Sequence, residues 1–202
     1  MYDIPYFKAK SANDIWQFIQ AQSFATLIVP TGSLLPAITH LPFMVSQRAG
    51  KWVLSGHVMR KTTHEIAMQQ AKEVVCVFQG PHAYVSAQHY EQPNTASTWN
   101  YMTAHVFGTI HWLDDDGLLN LLKATTTRFE GSVRGSQVAD MQPAYVQQHM
   151  KAIVGFEIEV SKVEHVFKLS QNKSHEERKR IIQALQATTE TIAMAKAMER
   201  YV

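Results

Sequence analysis

The chain has 202 residues, 46% of them apolar and 18% charged, which is enough to enclose a core and too apolar for compositional disorder. A single cysteine, Cys76, excludes an internal disulfide framework and an all-cysteine metal site, and no apolar run is long enough to span a membrane. The net charge of +2 is unevenly divided: residues 1–161 carry 11 Lys and Arg against 12 Asp and Glu, and residues 162–202 carry 8 against 5. A balanced body gives no footprint for wrapping nucleic acid, so any such role falls to the mildly basic tail. The N-terminal MYDIPYFKAK lacks the apolar core of a signal peptide, which predicts a soluble, cytoplasmic, unprocessed protein.

In chain order, Ser11-Ala12-Asn13-Asp14 reads as a capped helix start followed by Ile15, Phe18 and Ile19 at helical spacing. Short strands are predicted at Ala25–Val29, at Ala37–Phe43 beyond a Thr31-Gly32-Ser33 turn, and at Trp52–Leu54 beyond Gly50. A helix from about Thr62 to Ala71 precedes the continuous apolar run Val74–Phe78, typical of a buried strand. Gly80-Pro81 then predicts a turn, with a separate strand at Ala83–Val85 and another at Ala104–Leu113. Asp114-Asp115-Asp116 suits the positive end of an amphipathic helix, a short helix passes through Tyr145 to Met150, and Ile153–Val160 alternates as a strand. Ser174-His175-Glu176-Glu177 is a capping box for a basic helix, and a last helix starts near Thr189. Six or seven short strands among helices, without a βαβ rhythm, predict an α+β barrel with a helical tail after about residue 168.

The chemistry concentrates at Ser55-Gly56-His57-Val58-Met59-Arg60-Lys61-Thr62-Thr63-His64-Glu65. Arg60 and Lys61 meet the unpaired N–H groups of a helix whose cap is Thr62, a combination suited to a phosphate. The plainer reading is a solvated basic loop with an ordinary threonine cap. Gln79 and His82 flank Gly80-Pro81, where they either reach a ligand or satisfy a tight connection. Thr39-His40-Leu41-Pro42 places a proline at a strand end or bulge, and Thr98-Trp99-Asn100-Tyr101 sets an aromatic face beside an amide. The ten histidines show no i, i+4 ligand pair, Cys76 sits in an apolar run, and hydrolase or nucleotide-loop motifs are missing, so neither a metal site nor a nucleophile is expected.

Taken together, Thr39-His40-Leu41-Pro42, Gly56-His57-Val58, the block from Phe78 to Ser86, Thr98-Trp99-Asn100-Tyr101, Ile153-Val154-Gly155-Phe156 and Lys168-Leu169-Ser170-Gln171-Asn172 resemble the PaiB family, from Tyr2 to about Lys179. Members are described as negative transcriptional regulators with an FMN-binding split-barrel fold. The resemblance implies a split β-barrel over residues 1–168 and a helical extension over 169–202. It also implies FMN as cofactor, with Arg60, Lys61 and Thr62 at the phosphate. Thr39, His40 and Leu41 would then lie at the flavin ring, with His57 and Gln79 nearby. By the same resemblance the chain is a homodimer with FMN at the subunit interface and Trp99 and Asn100 acting across it. As a regulator it would meet DNA through the tail, at Arg178, Lys179 and Arg180. The alternatives are a flavin-dependent oxidoreductase like the pyridoxamine-phosphate oxidases and a haem-binding or haem-degrading split barrel. No residue stands out as a catalytic acid or base.

Overall fold

The structure is a computed structural model that describes residues 1–202 except Tyr2, Pro93, Ser132, Arg134 and Val202. Helix α1 (Ala12–Ala21) starts at Ser11, whose hydroxyl oxygen accepts the Asp14 N–H at 3.2 Å. Strands β1 (Phe24–Val29) and β2 (Ala37–Pro42) pair antiparallel, with Leu27 opposite Thr39. Strands β3 (Met44–Arg48) and β4 (Lys51–Met59) form a hairpin closed by Ala49 and Gly50, both in the left-handed region at φ 47° and 80°. Two such residues match the twist of the paired strands. The sequence reading has no strand at β3, because Ser46, Gln47 and Arg48 give it little apolar patterning.

Helix α2 (Thr63–Gln70) leads to β5 (Val74–Val85) and β6 (Thr98–Trp112). Helices α3 (Asp115–Glu130) and α4 (Pro143–Met150) precede β7 (Ile153–Lys168), and α5 (His175–Leu185) and α6 (Ile192–Tyr201) end the chain. The sheet order is β2-β1-β5-β6-β7-β4-β3. Among the described residues, seven strands with six α-helices agree with the predicted α+β class. Strands β4, β5, β6 and β7 run well beyond their predicted bounds, and Gly80-Pro81 makes no turn: β5 continues through it. Pro81 has no N–H for a ladder and lies beyond Val77, where the register with β1 ends. Gly80 is covered by the Phe18 ring, and a β-carbon there would come within 2.4 Å of Phe18 Cε2.

The chain divides into two compact units, one of Met1–Gln22, Phe78–His105 and Glu164–Val202, the other of Ser23–Val77 and Val106–Val163. The core of the first includes Phe18, Ile19, Met102, Phe167, Leu169, Ile181, Met194 and Met198, with Phe18 edge-on to Phe167 at 5.1 Å. In the second, Leu27, Phe43, Leu54, Cys76, Phe156 and Ile158 are fully enclosed, with Phe43 edge-on to Phe156 at 6.2 Å. Burial pushes the Cys76 thiol far above its ordinary range, so it is inert packing. Among the described residues, no helix is long and apolar enough to cross a membrane.

Candidate functional site

Within the second unit, β2 and β4 come side by side although they stand far apart in the sheet order. Gly56 permits this approach: a β-carbon there would lie 3.0 Å from Leu41 Cδ1 and 3.2 Å from Phe156 Cζ. The seam therefore joins the Thr39–Leu41 segment to Gly56-His57, and α2, which packs on β1, β2 and β4, begins just past the end of β4.

The turn from Met59 to Thr62 is fixed at several points. The Arg60 N–H donates to the Ala152 carbonyl at 2.9 Å. Lys61 occupies the left-handed region at φ 61°, and its N–H donates to the Glu65 carboxylate, which is only 8% exposed and also accepts from Gln69 Nε2 at 3.3 Å. Thr62 accepts the Glu65 N–H at 3.3 Å and donates its own proton to the Met59 carbonyl at 2.9 Å. Glu65 thus reaches one residue further back than in an ordinary capping box. The Thr62-x-x-Glu65 spacing signals the cap, whereas nothing in a lysine signals the left-handed backbone at Lys61.

This locked turn holds two exposed cations, Arg60 and Lys61, and no ion pair engages either side chain among the described residues. Arg60 borders a cleft that also meets Asp115, Asp116 and Lys151. A fixed turn, two cations outside any ion pair among the described residues and the positive end of a helix are a combination that suits an oxyanion. On β2, Thr39 is half-buried and Leu41 buried, while His40 is exposed and stacked on Phe24 at 6.4 Å. His57 is half-buried on β4, and burial holds its pKa below the ordinary 6.5, so the ring is neutral at neutral pH.

Gln79, Trp99 and Asn100 belong to the other unit. Gln79 is exposed on β5. Trp99 is 53% exposed and forms an aromatic group with His82 and Tyr84, each 6.0 Å away. Asn100 is fully buried instead of facing a ligand: its Nδ2 donates to Ser170 Oγ at 2.9 Å, and Ser170 Oγ donates to its Oδ1 at 3.1 Å. In this chain its amide anchors the connection after β7.

The family model described as "Putative FMN-binding domain" matches residues 1–162. The protease synthase and sporulation protein PAI 2 of Bacillus subtilis is 33% identical over 98% of this chain and 97% of its own length. Among solved structures, a conserved hypothetical protein from Mycobacterium tuberculosis aligns with a TM-score of 0.60 at 13% identity, covering 87% of this chain and 95% of that one. The FAD and heme binding protein from Mycobacterium smegmatis aligns with a TM-score of 0.56 at 16% identity, covering 79% and 72%. These structural likenesses show the fold, which is the split barrel expected from the sequence.

Proposed function

The chain belongs to the PaiB family of FMN-binding domains, and from that membership we propose that it binds FMN, with the phosphate held at the start of α2 by Arg60, Lys61 and the Thr62 cap. The observation that carries this reading is the pair of exposed, unpaired cations on a turn whose backbone is already fixed. Binding there costs little ordering, because Glu65, Thr62 and Ala152 hold the turn in place. FMN would supply redox chemistry through its ring, while the chain supplies binding and orientation. Thr39, His40 and Leu41 on β2 and neutral His57 on β4 are the side chains at the seam for the ring. A neutral imidazole can donate or accept there without adding charge.

Titration with FMN and with riboflavin separates the phosphate from the ring. The intact chain should prefer FMN, and Arg60→Ala/Lys61→Ala should erase that preference, a loss of roughly 2–4 kcal/mol. Equal affinity for the two flavins in the intact chain would contradict the assignment.

The same reading makes the chain a homodimer with the cofactor at the subunit interface. Phe24, Leu34, Leu35 and Ile38 leave large apolar side chains exposed on β1, on β2 and in the loop between them, surface that a second copy would cover. Trp99, exposed beside Tyr84 and His82, fits a role across that interface. Sedimentation should give a dimer; a monomer at all concentrations would contradict it. The regulator reading has less support. Arg178 donates to the Lys173 carbonyl at 2.8 Å, and Arg180 is taken up by the His89 carbonyl and by Glu91, both at 3.1 Å. Of the three α5 cations considered for DNA, Lys179 alone lacks such a contact among the described residues.

A further inference from the structure

A second pocket with surplus hydrogen-bond donors lies in the unit formed by Met1–Gln22, Phe78–His105 and Glu164–Val202, between the β7–α5 connection and the residues around Phe7 and Thr98. The connection is rigid. The Leu169 N–H donates to Gln171 Oε1 at 2.7 Å, Gln171 Nε2 donates to the Phe167 carbonyl, and the Lys173 N–H donates to the Ser170 carbonyl at 3.0 Å. Ser170 itself is buried in the left-handed region at φ 62°, with its hydroxyl engaged by Asn100. The cavity of about 280 Å³ is walled by Tyr6 and Phe7, and its polar lining comes from Lys168, Lys173, Thr98, Asn172 and Tyr90.

No Asp or Glu lines this cavity, and neither lysine is in an ion pair among the described residues. Lys168 Nζ donates to Thr98 Oγ1 at 2.5 Å, which leaves the Thr98 proton available for onward donation. Lys173 Nζ lies 3.7 Å over the Tyr90 ring, a contact that leaves its charge uncancelled. The Tyr90 hydroxyl is enclosed with no hydrogen-bond partner among the described residues. Burial and nearby Glu177 push its pKa up, so it stays a neutral donor. Glu177, whose charge interacts with Lys173, does not line the cavity and accepts the Glu91 and Ser174 N–H groups, both at 3.0 Å. Two ammonium groups outside any ion pair among the described residues, an amide and the Thr98 hydroxyl thus line one cavity that has no carboxylate in its wall.

We propose that this pocket binds a phosphate-class oxyanion, either free phosphate or a small phosphate monoester. Lysine holds phosphate as a point charge, the Thr98 hydroxyl and the Asn172 amide can supply directed donors, and the volume is below the usual range for sites that enclose a drug-sized ligand. This site is independent of the Arg60-Lys61 assignment and stands or falls without it.

The test is calorimetric titration of the full-length Arg60→Ala/Lys61→Ala chain with inorganic phosphate and with glycerol phosphate at constant ionic strength. In that variant the α2 anion site is disabled whether or not it serves FMN. A single saturable site is expected for at least one of the two probes, and which probe binds tighter identifies the source of the phosphate. Lys173→Gln should weaken binding by about tenfold, and Lys173→Arg should restore most of it. Lys168→Gln should also weaken it, with circular dichroism confirming the fold in each case. Failure of both probes to saturate would overturn the proposal. So would binding unchanged in both glutamine variants, which would mark an adventitious ion atmosphere.

Discussion

Asn100 makes no use of solvent: both ends of its amide are spent on the Ser170 hydroxyl, and Nδ2 also reaches Met198 Sδ at 3.4 Å. Replacing it by alanine leaves a buried hydroxyl without partners, a cost of about 1–3 kcal/mol. Asn100→Ala should therefore lower the urea midpoint clearly, and an unchanged midpoint would mean that the anchor carries no load. The family resemblance implies a role for Asn100 across the subunit interface, whereas its place one residue after Trp99 on β6, on the inward face, gives it an anchoring role within this chain. Arg60, Lys61 and Thr62 were legible because cap spacing and charge are local features. The Glu65 clamp on Lys61 was not, since it depends on a left-handed backbone that lysine does not signal.

At the scale of elements, alternation and capping gave the existence of most strands and helices, while strand lengths escaped. The Gly80-Pro81 pair carries the local signal of a turn, yet the Phe18 ring packs on Gly80 and the strand runs on, a case of tertiary contact overriding dipeptide chemistry. Close packing also fixes Gly108 on β6, where a β-carbon would lie 2.3 Å from the Glu159 carbonyl oxygen and 2.6 Å from Ile158 Cγ2. A backbone carbonyl cannot rotate aside as a side chain can. Gly108→Ala should cost about 2–3 kcal/mol by overpacking, whereas Thr109→Ala, at an exposed neighbour, should stay within about 0.5 kcal/mol. Thermal unfolding of the two variants checks this, and similar melting temperatures would show that β6 and β7 can separate cheaply there.

Across the whole molecule, His57, His105 and His165 share one property: burial, the largest cause for each, holds the pKa below the ordinary 6.5. The native state then binds fewer protons than the unfolded chain, so stability is full above about pH 6.5 and declines as the pH falls through the lower native values. His165 adds a geometric reason, because its Nε2 accepts the Ala9 N–H at 3.0 Å and protonation would set two donors face to face. The melting temperature should fall between pH 7.5 and 5, above the range where carboxylates titrate, and His165→Gln should make the fall shallower. A slope unchanged by that substitution would remove His165 from the account. The ten histidines of the sequence thus include three that burial keeps neutral.

A cation pair held rigidly at the start of α2 is the proposed seat of a flavin phosphate. The most direct test is the visible absorption spectrum of the freshly purified chain, followed by equilibration with FMN. The expected result is a flavin spectrum, as purified or on reconstitution, saturating at one FMN per chain, and sharply weakened in Arg60→Ala/Lys61→Ala. A colourless protein that takes up no FMN, or a Soret band on haem addition with no flavin uptake, would contradict it.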